Sequence, residues 1–80
     1  LAQDLDLNFE PEVMFEQVNI NQADAETIAL TLNGIGIVKA EAIVAYRDEN
    51  GSFNTVDDLI MVNGVGEFTV LNNQDKIIFE

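Results

Sequence analysis

Two stretches of the chain place the same residue types at the same spacing. Asn33-Gly34-Ile35-Gly36 is matched, thirty residues later, by Asn63-Gly64-Val65-Gly66. A helical pattern follows each. A glycine pair around one aliphatic residue leaves no β-carbon beside the backbone amides, so an anion can approach them directly. A helix start adds N–H groups without intrahelical partners and with a partial positive charge. Together these features describe a phosphate site made of backbone, which does not depend on side-chain charge. Ile35 and Val65 are then available to point inward and anchor each turn. Lys39, three residues beyond Gly36, offers the first site a side-chain contact. A single GxG between helices is only a tight turn. Its recurrence in a matched setting is what favours anion binding. Neither GxGxxG nor GK[ST] occurs and no strand pattern leads into either turn, so a dinucleotide-binding or Walker loop is excluded.

The charge opposes this chemistry. Fifteen Asp and Glu stand against three Lys and Arg, a net −12 over 80 residues. Such a balance disfavours nucleic acid and anionic membranes at long range. It is uneven: residues 1–17 hold five acids and no base, while residues 18–80 hold ten acids and all three bases, a net −7. Non-specific DNA binders gain most of their affinity from lysine and arginine, and two turns with Lys39 reach about two to four phosphates. Weak binding is the expectation. Arg47 is expected to pair with Asp48, Glu49 or a helix-end carbonyl, and Lys76 with Asp75 or a chain end.

Other chemistries lack their residues. There is no histidine and no cysteine, and Ser52, the only serine, has no base to activate it. Triad hydrolysis and thiolate metal sites are thereby excluded. The chain is read as a non-enzyme with no cofactor and no metal site. The acid pairs Asp48-Glu49 and Asp57-Asp58 read as solvated helix ends. No apolar run approaches the length of a transmembrane helix, and no signal-peptide pattern is present. The missing initiator methionine suggests a mature or excised segment.

The elements that must position the turns follow from the apolar periodicity. Residues 1–17 form an acidic, partly apolar arm or linker, with Leu5, Leu7, Phe9, Val13, Met14 and Phe15 as a docking side for this domain or a neighbour. Residues 18–80 form one domain. Val18 to Asn21 is an extended lead-in. Asp24 caps a first helix whose inner face is Ala25, Ile28, Ala29 and Leu32, and Asn33-Gly34 stops it. The second helix runs from about Ile37 to Glu49. It is apolar nearly all round and is expected to be central, packed on more than one side. Asn50-Gly51 ends it, and Phe53 folds back on the core. Thr55 and Asp58 give a capping-box start to a third helix, with Val56, Leu59, Ile60 and Val62 inside. A fourth runs from Glu67 to about Asn73. "KIIF" closes the domain as a strand-like tail beside Val18 to Ile20. The fold class is all-α: two helix-turn-helix units, four short helices around one core, related by a pseudo-twofold. The repeat fades through the helices that follow the turns.

"VNINQADAETIALTLNGIGIVKAEAIVAYRDENGSF" followed by "VDDLIMVNGVG" resembles the paired helix-hairpin-helix domain of the ComEA family of bacterial competence proteins, from about Val18 to Ile78. The Asn-Ile-Asn lead, Ala-Asp-Ala-Glu, Lys-Ala-Glu-Ala-Ile, Tyr-Arg and Asn-Gly-x-Phe recur in order. The resemblance implies sequence-independent DNA binding through phosphates at both hairpins, in a periplasmic or otherwise extracytoplasmic protein of DNA uptake. The positions carried over are Gly34, Ile35, Gly36 and Lys39 in the first hairpin and Gly64, Val65 and Gly66 in the second. Relatives often carry basic residues after the second hairpin, where this chain has Glu67 and Phe68. The alternative is an acidic protein-interaction module on the same scaffold, self-associating or binding a protein partner through Leu5 to Phe15, with exposed Leu30 and Phe68 as further contacts.

Overall fold

The computed structural model describes residues 17–80. The arm read at residues 1–17, including the apolar set Leu5 to Phe15, lies outside the described residues except for Gln17. Along the chain come β1 (Val18–Asn19), α1 (Ala25–Thr31), α2 (Ile37–Asn50), α3 (Val56–Ile60), α4 (Glu67–Asn72), a short 3-10 turn (Gln74–Lys76) and β2 (Ile77–Ile78). The all-α expectation holds, with one small addition. β1 and β2 pair in parallel, Val18 opposite Ile77 and Asn19 opposite Ile78. The Ile20 amide continues the ladder to the Ile78 carbonyl at 3.0 Å. The whole helical body forms the crossover between the two strands, because parallel strands cannot be joined by a tight turn.

Local signals fix the helix ends. Asp24 takes extended dihedrals, and its carboxylate accepts from the Thr27 amide at 2.9 Å. At α3 the capping box is complete: the Thr55 hydroxyl accepts from the Asp58 amide, and the Asp58 carboxylate accepts from the Thr55 amide at 3.2 Å. Such caps contribute about 0.5–2 kcal/mol each. Gly51, at φ +94°, ends α2, a conformation that costs any residue with a β-carbon.

The core joins all of these elements. Val18 and Ile20 from the lead-in, Ile28 and Leu32 from the first helix and its end, Ala40 and Ile43 from α2, Phe53, Leu59, Val62, Val70 and Ile77 are buried in one cluster with Ile35 and Val65 from the turns. Phe53 folds back as expected and stacks on Tyr46, ring centroids 5.5 Å apart. Fully burying a side chain of this kind contributes about 1.5–3 kcal/mol.

One expectation is revised and one is refined. α2 is less enclosed than expected, although Ala42, Val44 and Tyr46 lie half-buried against the core beside its two buried residues. Of its residues only Ala40 and Ile43 are buried, and Ile37 and Val38 are exposed. The helix packs mainly against α1. The repeat fades in residue type beyond the turns, as expected, while part of its burial pattern continues. Shifting by thirty superposes buried Ala40 on buried Val70 and buried Ile43 on buried Asn73, as it superposes Leu32 on Val62 and Ile35 on Val65. The side chains diverge while the pattern of burial persists. It breaks in the helices before the turns: Thr31 is buried and donates its hydroxyl to the Thr27 carbonyl whereas Met61 is exposed, and buried Ile28 and Leu59 face half-buried Asp58 and Ala29 under the shift.

Candidate nucleic-acid interface

The two glycine turns have the same backbone. Gly34 and Gly64 sit at φ +79° and +86°, where a β-carbon is strained. Gly36 and Gly66 are extended and serve as the N-caps of α2 and α4. The first glycine of each pair therefore reverses the chain. The second supplies a cap with no side chain. Ile35 and Val65 point into the core, at 4% and 5% exposure, while all four glycines face solvent. Nothing lies within 4 Å of where a β-carbon would stand on Gly36, Gly64 or Gly66.

The consequence falls on the amides. The first intrahelical bond of α2 runs from Ala40 to the Gly36 carbonyl, and no side chain caps the helix. Among the described residues the amides of Gly34, Ile35, Gly36, Ile37, Val38 and Lys39 find no acceptor. Backbone donors left in this way are rare unless water or a ligand takes them. The second turn is tighter, since the Val65 amide bonds to the Val62 carbonyl at 3.1 Å; among the described residues its amides without an acceptor are those of Gly64 and of Gly66 to Thr69.

The turns share one region of the surface. A β-carbon on Gly34 would stand 3.6 Å from the Thr69 methyl on α4. Thr69 is three residues, about 4.5 Å of helix rise, from Gly66. A buried clamp fixes this arrangement. Asn73, 1% exposed, accepts from the Asn33 amide at 2.9 Å and donates to the Asn33 carbonyl and the Thr69 carbonyl, both at 2.8 Å. The end of α4 thus holds the entrance to the first turn. Sequence reasoning missed Asn73. The thirty-residue shift pairs it with Ile43, so a polar residue at a core position was the available signal.

The charges are unevenly placed around the turns. Lys39 is exposed one turn into α2, and Glu67 is exposed at the first position of α4. Asp24 and Glu26 lie at the start of α1, and Asp48 and Glu49 near the end of α2, the helix ends away from the first turn. Arg47 is removed from any interface. Its guanidinium donates to the carbonyls of Ile20 at 2.8 Å and Ala23 at 2.6 Å, and reaches Asp48 only at 4.0 Å. The expected Asp48 partner is therefore secondary, and the main acceptors belong to the loop before α1. The expected Lys76–Asp75 pair is not formed: among the described residues Arg47–Asp48 is the one ion pair. Asp58 is engaged in capping α3, as above. Asp24 is held below the ordinary 3.8 by hydrogen bonding to Thr27, the side chain first and the amide second. No helix among the described residues is long and apolar enough to cross a membrane.

Paired turns of this geometry, each joining two short helices over a shared core, define a helix-hairpin-helix domain. The sequence profile of the helix-hairpin-helix motif matches residues 13–78, and the chain belongs to that family. It is 46% identical over 69 residues to an uncharacterised protein of Haemophilus influenzae, covering 86% of this chain and 62% of that one. It is 52% identical over 50 residues to ComE operon protein 1 of Bacillus subtilis, covering 62% of this chain and 24% of that protein. Over 51 residues it is 45% identical to endonuclease/exonuclease/phosphatase family domain-containing protein 1 of Homo sapiens, covering 64% of this chain and 9% of that protein. The chain spans less than two thirds of each of these relatives.

Proposed function

We propose that this domain binds DNA without sequence preference, within a longer protein of the ComE operon protein 1 type that acts in DNA uptake outside the cytoplasmic membrane. Phosphates are held by the backbone amides of Gly34, Ile35 and Gly36 with the Lys39 side chain, and by those around Gly64, Val65 and Gly66. The observation that carries this reading is the run of amides from Gly34 to Lys39 with no acceptor among the described residues, on exposed backbone beside an exposed lysine. The first hairpin is the stronger site, because α2 has fourteen residues and α4 six, with Glu67 at its start. The similarity to ComE operon protein 1 supports the setting. No step in this reading is catalytic.

The test is a titration of short DNA at several salt concentrations. With about two to four phosphates engaged, affinity falls with salt at a logarithmic slope of about −2 to −4. Gly36→Glu with Gly66→Glu places carboxylates at backbone positions that accept any residue. That pair is expected to abolish binding while leaving the melting transition intact. No binding by the folded wild-type domain at low salt overturns the reading.

A second reading is favoured by the exposure of Leu30, Val38, Met61 and Phe68. On this reading the scaffold is an acidic interaction module, with residues 1–17 as the self-associating or partner-binding element. Sedimentation with and without those residues decides it: concentration-dependent association that vanishes on truncation supports the module, and an unchanged monomer rejects self-association.

A further inference from the structure

The chain holds three Asn-Gly pairs, Asn33-Gly34, Asn50-Gly51 and Asn63-Gly64, and each of these glycines has positive φ. An asparagine before glycine is chemically labile, because the glycine amide nitrogen can attack the asparagine Cγ with no side chain to hinder it. Closure requires that nitrogen to swing toward Cγ about the bond between the asparagine Cα and its carbonyl carbon. The nitrogen and the carbonyl belong to one planar peptide unit, so a hydrogen bond to either group restrains both. The three pairs differ in this respect. The Gly51 amide donates to the Arg47 carbonyl at 2.9 Å, and the Asn50 side chain donates to the Tyr46 carbonyl at 3.0 Å. In the first hairpin the Asn33 carbonyl accepts from Asn73 at 2.8 Å. The thirty-residue shift puts Ile43 in the place of Asn73, and Ile43 has no polar group to offer the second hairpin. Among the described residues the Asn63 carbonyl, the Asn63 side chain and the Gly64 amide are without partners, and both residues are exposed. Residues 62–65 form a turn closed by the Val65 amide on the Val62 carbonyl at 3.1 Å, with positive φ at Gly64 alone, the type II arrangement. Its central peptide, between Asn63 and Gly64, takes no part in the closing bond and can swing without breaking it.

We propose that Asn63 is a self-modifying site. It deamidates in the folded domain ahead of Asn33 and Asn50, and its conversion weakens the second hairpin's hold on phosphate, a consequence that rests on the phosphate reading above. The Gly64 nitrogen gives its proton to hydroxide and forms a bond to Asn63 Cγ. The Cγ–Nδ2 bond breaks, and ammonia leaves with a proton taken from water. A five-membered succinimide remains, and one water adds to one of its two carbonyls. Opening at Cγ gives aspartate. Opening at the main-chain carbonyl gives isoaspartate, in which the backbone runs through Cβ and Cγ. The sum is one water consumed and one ammonia released, with no change of oxidation state. Either product sets a carboxylate beside the amides of Gly64 and of Gly66 to Thr69, which lack acceptors among the described residues. A carboxylate there competes for those donors and repels an incoming phosphate. Isoaspartate also lengthens the turn between Val62 and Val65, both of which are buried in the core.

The experiment incubates the full chain in warm, mildly alkaline buffer, below its melting transition, and follows each Asn-Gly pair by peptide mapping with mass spectrometry. A parallel sample is unfolded in urea. Overcoming one hydrogen bond slows a step about two- to tenfold, and Asn63 is expected to lead Asn33 and Asn50 by at least about twofold. In urea the three pairs are expected to convert at similar rates, which assigns the ranking to the fold. Equal rates in the folded chain, or Asn33 or Asn50 in the lead, overturn the site. Converted protein is separated from fresh protein by its added charge on an anion-exchange column. It is expected to bind a short duplex about two- to fivefold more weakly, as is Asn63→Asp, which keeps the backbone and so isolates the effect of charge. In Asn63→Ser the affinity no longer drifts with age. Asn63 in the lead with unchanged affinity after conversion overturns the consequence for phosphate and upholds the chemical site. Fresh protein that binds no DNA overturns the phosphate reading, while the order of conversion still decides the site.

Discussion

The side chain of Asn73 hydrogen-bonds both backbone polar groups of Asn33, forty residues away, taking the amide at 2.9 Å and giving to the carbonyl at 2.8 Å. It acts as an inserted peptide group, closing the first hairpin against the end of α4. Replacing it leaves three part-buried backbone groups, the Asn33 amide and carbonyl and the Thr69 carbonyl, without this partner at once. Asn73→Ala is expected to destabilise the domain by about 2–4 kcal/mol, read as a lowered urea midpoint with an unchanged slope. Asn73→Ile, which copies Ile43 at the equivalent place, is expected to fail as a rescue, because volume is restored and the donors and acceptors are not. Rescue by isoleucine would show the clamp to be packing alone.

Arg47 is a structural cation. Its two carbonyl acceptors lie on the loop that leads into α1, and Arg47→Met keeps the stem while removing both bonds. Bonds to charged groups contribute about 1.5–3 kcal/mol, and the loss is expected in that range. Denaturant unfolding measures it. The salt slope of DNA binding in this variant is expected to equal that of the wild type, and a shallower slope would show that Arg47 meets phosphate.

Gly36 separates stability from binding. Gly36→Ser offers a hydroxyl to the α2 amides, as a good N-cap does, and raises stability by only about a few tenths of a kcal/mol over glycine. That hydroxyl takes the amide of Val38 or Lys39, next to the Gly34–Gly36 amides proposed for phosphate, and adds a side chain at their edge, so DNA affinity is expected to fall as the melting temperature holds or rises. Gly34→Ala is the contrast. At φ +79° it costs about 1–2 kcal/mol through backbone strain. Thermal melts paired with titrations distinguish the two, and undiminished affinity in Gly36→Ser argues against amide recognition.

Asp24 sets a pH dependence. Its folded carboxyl titrates below the ordinary 3.8, so the unfolded chain takes up the proton first and stability rises with pH. The contribution is fully present above the unfolded value and disappears as pH falls through the folded one. Asp24→Asn retains a cap acceptor without titrating. Its melting temperature is expected to lie close to wild type at pH 2 and to diverge from it as pH rises past about 4. A constant difference across that range would exclude the linkage.

Much of the fold was legible residue by residue. The caps at Asp24 and Thr55, the stops at Gly34 and Gly51, the return of Phe53 and the pairing of the closing strand near Val18 all depend on signals a few residues long or on strongly patterned apolar groups. The burial of α2 was not legible. "IVKAEAIVAY" is apolar on several faces, and composition alone does not show which of them meets a neighbour. The candidate site was legible as backbone, through its glycines, and not as a surface.

By itself the sequence determined two matched turns, four short helices, an inward aliphatic residue in each turn and an excess of negative charge. Each of these is set by local dihedral preference, apolar spacing or simple counting. Tertiary structure alone decided that Asn73 would hold Asn33 and that Arg47 would be used by loop carbonyls. Those outcomes depend on which groups the chain path brings within about 3 Å of one another, and hydrogen bonds of that reach leave little trace in residue spacing.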